Sequence, residues 1–354
     1  MIVFSAAQAL SPAIERTRRL LFSPFRWTTF LKLCVVAVLT EGFGGNFNFS
    51  HSSHSSSHPA GSSGPLGTTP HGAPFALSPE WIALIAAIVL ASLVIGFFLF
   101  YLITRLRFSL FHCLAYQVRE LRPGWTLYRE QANRFFWFNL AVGLLFMLLV
   151  VLCVAPFVLG FVRIYKATQA GAHFDVPLFL SLFFPLLALL IVIALVAVSI
   201  DVVMRDFMLP HFALEDASAR TAWTEVRTRI AAEKGSFVLY AVLRILLPIA
   251  ALLALVMVLA IPMLILFGIF AAAFAGFHVL FDQAGTLGIV LEVVLGVTAV
   301  AVGLFLAICF GGPLSLWVRN FALVFYGGRY SLLGDVLFPP PPPPLFDESG
   351  MPTP

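Results

Sequence analysis

Four histidines, His51, His54, His58 and His71, form the run of side chains in this chain best suited to metal ligation. The first three follow an H-x2-H-x3-H spacing, and neutral imidazoles suit zinc, copper or nickel. Around them, residues 42–79 hold no Lys, Arg, Asp, Glu or Cys and are dominated by Ser, Gly, His and Pro. Such a segment cannot bury a core, so it reads as a disordered loop that pre-forms no ligand geometry. A solvated low-complexity loop is therefore the heavier reading. Asn48-Phe49-Ser50 in the same loop matches a glycosylation acceptor, a three-residue pattern common by chance.

Proton or cation chemistry inside a membrane would fall to Glu292 and Asp201, which lie within long apolar runs. A charge at the centre of a spanning helix costs about 2.5–3.5 kcal/mol on insertion scales, so intramembrane carboxylates are suspects by default. Neither is central. Asp201 is four residues from Arg205, and an i,i+4 ion pair accounts for it. Glu292 lies within about two turns of a helix end, where a contact with the interface or another helix outweighs a proton site. His112, His211 and Asp206 fall near the opposite ends of the apolar runs and make no recognisable nucleophile and base arrangement. No catalytic residue and no cofactor is assigned on this basis.

These residues are held by a chain that is 60% hydrophobic and 11% charged, with a mean hydropathy of +0.99, which excludes a soluble domain. A crossing needs about 20 apolar residues to traverse about 30 Å of hydrocarbon. Six stretches qualify, at about 25–41, 81–103, 135–162, 178–203, 249–276 and 287–310. The first is diluted by Lys32, Thr28 and Thr29. Between the fourth and fifth, residues 237–247 read as an interfacial helix whose Arg244 snorkels to the headgroups. Pro262 should kink the fifth crossing, and Gly311-Gly312-Pro313 should end the sixth.

Charge placement orients these crossings. Of 21 basic residues, 17 fall in segments that alternate crossings would place on one face. Arg163 and Lys166 fall on the other, while Lys32 and Arg244 lie within apolar stretches. The positive-inside rule then predicts an all-α, six-span polytopic bundle with both termini cytoplasmic, residues 1–338 forming one membrane domain. With 18 Arg against 3 Lys the composition suggests a GC-rich bacterial genome, hence an inner-membrane protein. The Arg residues sit in loops beside crossings, so no nucleic-acid partner is implied. Cys34, Cys113, Cys153 and Cys309 form no CxxC pair and predict no disulfide framework.

The basic segments carry the most organised polar sequence. Asp216 and Ser218 could cap a helix that puts Trp223, Val226 and Ile230 on one face and Arg220, Arg227 and Glu233 elsewhere. It reads as an amphipathic helix at the inner headgroup layer, with Arg220, Arg227 and Arg229 toward anionic lipid. Earlier, Pro123-Gly124 marks a turn before Trp125 and Arg129. Trp-Thr recurs at 27, 125 and 223, a weak hint of three related units. Residues 339–344 are six prolines, a stiff polyproline II spacer or docking rod opening the tail at 339–354.

Arg205-Asp206-Phe207 with Pro210, Leu214-Glu215 and Trp223, and Pro313 with Trp317 and Arg319, resemble bacterial six-span proteins of largely unknown function. They are similar to the membrane domain fused to some glycerophosphodiester phosphodiesterases. The soluble catalytic barrel of those enzymes has no counterpart here, so the resemblance implies a membrane body without the hydrolase activity. The sequence thus points to a non-enzymatic membrane organiser whose basic face meets the lipid bilayer, anionic headgroups or an unidentified membrane or cytoplasmic protein. The alternative is a small-solute or lipid transporter with kinked crossings around a pathway near Glu292.

Overall fold

The computed structural model describes residues 5–45, 79–171, 175–281 and 286–339. The helices are α1 (Leu10–Phe22), α2 (Trp27–Gly45), α3 (Pro79–Tyr116), α4 (Leu121–Leu127), α5 (Arg129–Gln169) and α6 (Val176–Val202). A π-helical turn, Val203–Met208, continues α6 into α7 (Leu209–Leu214). Then come α8 (Ala219–Ala232), α9 (Lys234–Phe281), α10 (Thr286–Gly327) and α11 (Ser331–Leu337), with no strand among the described residues.

Five helical stretches are long and apolar enough to cross a membrane: Trp81–Tyr116, Arg129–Gln169, Val176–Leu214, Lys234–Gly276 and Val293–Gly327. The most apolar 18-residue window of each has no buried residue. Burial collects instead at one end of each: Phe108 and Phe111 at the C-terminal end of α3, Phe135 and Phe136 near the start of α5, Met208 and Phe212 after α6, Tyr240 near the start of α9, and Phe321 to Tyr326 near the end of α10, with Ile164 of α5 the exception. The buried ends alternate along the chain, so the helices run up and down from a common core. Their free ends present apolar side chains suited to lipid.

Aromatic contacts bind this one-ended core. Phe135 meets Phe108 and Phe212 edge-on at 5.6 and 5.2 Å, and Tyr240 stacks on Phe325 at 4.5 Å; such pairs each contribute about 0.5–1.5 kcal/mol beyond area burial. Arginine side chains tie off the helix ends. Arg119 donates to the carbonyls of Leu20 (2.9 Å), Pro24 (2.8 Å), Arg19 (3.0 Å) and Ser23, closing the C-terminus of α1 with a cation where the helix dipole favours one. Arg16 donates to Leu337 at 2.8 Å and to Leu114 at 2.9 Å, tying α1 to α11 and α3. Burial, with Arg19 adding to it, lowers the Arg16 pKa to about 10, which leaves it charged at neutral pH.

Several sequence expectations give way here. Residues 237–247 are not a separate interfacial helix, because α9 runs unbroken through Pro248 and Pro262. Likewise α10 passes through Pro313 instead of ending there. Gly312 lets this part of α10 lie against α2, since a Cβ on it would sit 2.3 Å from Cys34 Cβ. Pro123-Gly124 is inside α4 and not a turn: Pro is tolerated in a first turn, and a Cβ at Gly124 would lie 2.8 Å from His112 Cβ. The Trp-Thr pairs start α2, lie in α4 and lie inside α8, three unlike settings.

Candidate functional site

The buried ends of the helices enclose a cluster of charges. The π-helical turn supplies its centre, the consecutive residues Arg205 and Asp206, both buried; such insertions are frequent at functional sites. Asp206 accepts from Arg319 Nη1 at 2.6 Å, Arg244 Nε at 3.0 Å and the Tyr240 hydroxyl at 2.8 Å, and Arg205 Nε lies 3.7 Å away. Arg244 reaches on to Glu41 at 3.3 Å, and Arg205 meets both Glu41 at 3.3 Å and Asp201 at 3.4 Å. Arg107 adds a fourth buried guanidinium, which donates to the Thr40 carbonyl at 3.4 Å and has no carboxylate within 4 Å among the described residues. Three carboxylates and four guanidiniums thus join α2, α3, α6 with its π turn, α9 and α10.

The cluster accounts for two residues read differently from sequence. Arg244 does not snorkel, because its charge is held by Asp206 and Glu41 in the core. Glu41, expected at the far end of the first crossing, instead sits level with the core ends of α6 and α9. Asp201 pairs with Arg205 as the i,i+4 spacing anticipates. Glu292 lies in α10, but its side chain is outside the described residues. His51, His54, His58 and His71 also lie outside them, and among the described residues no three His, Cys, Asp or Glu side chains gather as a metal site.

The histidines near the core have separate partners. His211 Nε2 is 2.7 Å from the Tyr326 hydroxyl, and its Nδ1 is 3.2 Å from Glu215. This chain of groups is buried at His211 and Tyr326 and lines neither of the two cavities described below. His112 packs on Tyr116 at 4.8 Å. Asp206 belongs to the arginines, so the three residues form no common site.

The exposed candidates divide by partner. Ser218 caps α8, its hydroxyl accepting from Thr221 N at 3.2 Å, while Asp216 pairs with Arg134. Ala222 and Val226 anchor α8 to the core. Trp223 is 49% exposed and shares the outer stripe with exposed Arg220 and Arg227, at i, i+3 and i+7, rather than the inner face. Neither Arg220 nor Arg227 makes an ion pair among the described residues. Arg229 is not a free contact, because it donates to the Arg329 carbonyl at 2.6 Å, lies 5.0 Å over the Tyr330 ring and pairs with Glu225. Trp125 is half-buried under Arg105, 4.1 Å above its ring, and Arg129 is exposed.

Beside α8 two apolar cavities flank the π-helical turn. The larger, about 650 Å³, lies between α5, α6 and α8, with Arg220 its sole charged wall. The smaller, about 390 Å³, lies between α6 with its π turn and α9, with Ile230 of α8 beside it; Lys234 is its sole charged wall, and Ser199 and Tyr240 are its hydroxyl-bearing ones.

One-ended packing, long bare apolar helices and a basic polar rim define a polytopic helical membrane protein. The chain belongs to a family of unknown function, DUF7544, whose model matches residues 4–336. No curated protein and no solved structure matches it.

Proposed function

We propose that this chain is a six-crossing integral membrane protein, with both termini cytoplasmic, that acts without catalysis by gathering anionic lipid at its basic end. Parity supports the topology. Both described ends of the chain lie in the common core, where Arg16 of α1 meets the Leu337 carbonyl of α11. Five crossings would put those two ends on opposite faces, so their meeting accords with an even number. The basic residues collect at the core end, the side that the positive-inside rule makes cytoplasmic. In a bacterium this is the inner membrane.

The observation that carries the lipid reading is the outer stripe of α8. Its Arg220, Trp223 and Arg227 project from a helix pinned by Ala222 and Val226, and the two cations make no ion pair among the described residues. A Trp between unpaired arginines at the level where apolar helices meet a polar core suits the headgroup layer. Extraction of the protein in native-lipid discs, followed by headgroup analysis, tests it. The wild type should carry anionic lipid in excess of the surrounding membrane, and Arg220→Gln/Arg227→Gln should fall to the bulk composition. Equal composition in the two would refute the reading.

A further inference from the structure

We infer that the larger cavity holds one acyl chain of an anionic phospholipid, with its phosphate on Arg220. This rests on the proposed lipid reading and gives it a site. About 650 Å³ is within the range of about 300–1,000 Å³ usual for small-molecule sites. Phe138 and Val142 of α5 and Met204 and Met208 of the π-helical turn wall it, and methionines adapt to a chain of variable shape. Ala219 and Arg220 of α8 bound it from the basic side.

Three observations select the occupant. The walls are mostly apolar and carry one cation, the Ser199 hydroxyl being taken up by the Leu195 carbonyl at 2.8 Å, which matches an extended hydrocarbon ending in a single negative group. That cation has no carboxylate partner among the described residues, so its five donors remain for phosphate oxygens. The cavity lies where bare, lipid-suited lengths of α5 and α6 meet an amphipathic helix, the depth at which acyl chains join headgroups. The smaller cavity across the same turn repeats the pattern with Lys234.

Nanodiscs of phosphatidylcholine test this when doped with a phosphatidylglycerol or a phosphatidylcholine probe bearing a photoreactive acyl chain. After irradiation, peptide mapping should find the phosphatidylglycerol probe on Val142 and Met204–Met208 at least about fivefold above the neutral probe. Arg220→Gln should lower that ratio about fivefold, the effect of one cation near a membrane surface. Val142→Trp, which fills the cavity without touching the arginines, should remove the labelling there and leave anionic enrichment in native-lipid discs intact. Enrichment without cavity labelling, or labelling unchanged by Val142→Trp, would overturn the cavity site alone. Loss of both enrichment and labelling in the wild type would overturn the lipid reading with it.

Discussion

Replacing Asp206 with Asn should unfold the core more readily than any other single charge neutralisation in the cluster. The side chain is fully buried, and its carboxylate accepts at 2.6 Å from Arg319, 3.0 Å from Arg244 and 2.8 Å from Tyr240. Asn keeps the shape but not the charge, leaving four buried guanidiniums facing two carboxylates, Glu41 and Asp201. Breaking a buried ion pair by removing one partner costs about 3–5 kcal/mol, because the remaining charge stays desolvated. Asp201→Asn is the control. Asp201 is 29% exposed and holds one arginine at 3.4 Å, so its loss should cost about 0–1 kcal/mol. Denaturation in detergent micelles can be followed by thiol labelling of Cys34 and Cys113, both fully buried in the fold. Asp206→Asn should expose them at distinctly lower denaturant, and added salt should not erase the difference, since buried pairs are weakly screened. If the two variants unfold together, the cluster is not what holds the five elements.

Gly312→Ala should destabilise by about 1–3 kcal/mol through overpacking against Cys34, whereas Gly303→Ala, with nothing within 4 Å of the added carbon, should be neutral or slightly stabilising in the same denaturation assay. Arg229→Gln should lower stability with little change in lipid composition, and Arg227→Gln should do the opposite, because of the two only Arg229 has a side-chain partner among the described residues. Tyr128 and Tyr330 lie outside the long apolar helices, and burial pushes both hydroxyls above the ordinary tyrosine value of 10.0, with Tyr116 adding for Tyr128 and Glu215 for Tyr330. A raised folded value favours the neutral form. Their contribution to stability is therefore complete below pH 10 and lost as the pH rises above it, which ultraviolet titration alongside unfolding will register.

Five of the long helices were legible because a membrane demands about 20 apolar residues in a row, a signal that survives in any single sequence. Helix ends were less so. Gly311-Gly312-Pro313 read as the end of a crossing, yet neighbouring helices and local backbone adjustment tolerate Pro313 within the long apolar α10. The charge cluster was hidden for a different reason. Its members are separated by up to 278 positions, from Glu41 to Arg319, and only Asp201, Arg205 and Asp206 are close along the chain. Arg244 in an apolar run was the available signal. It was read as snorkelling because sequence does not say which carboxylate lies opposite. On α8 the cap at Ser218 could be read from residue type, but the face of Trp223 could not, since Val226 and Trp223 lie within one turn of each other and tertiary packing chooses between them.

A photoreactive residue in place of Trp223, activated in native membranes, tests the lipid account most directly. The account predicts adducts dominated by phospholipid with anionic headgroups, diminished when Arg220 and Arg227 are also replaced by Gln. A single recurrent protein adduct, undiminished by those replacements, would contradict it and make this face a protein interface.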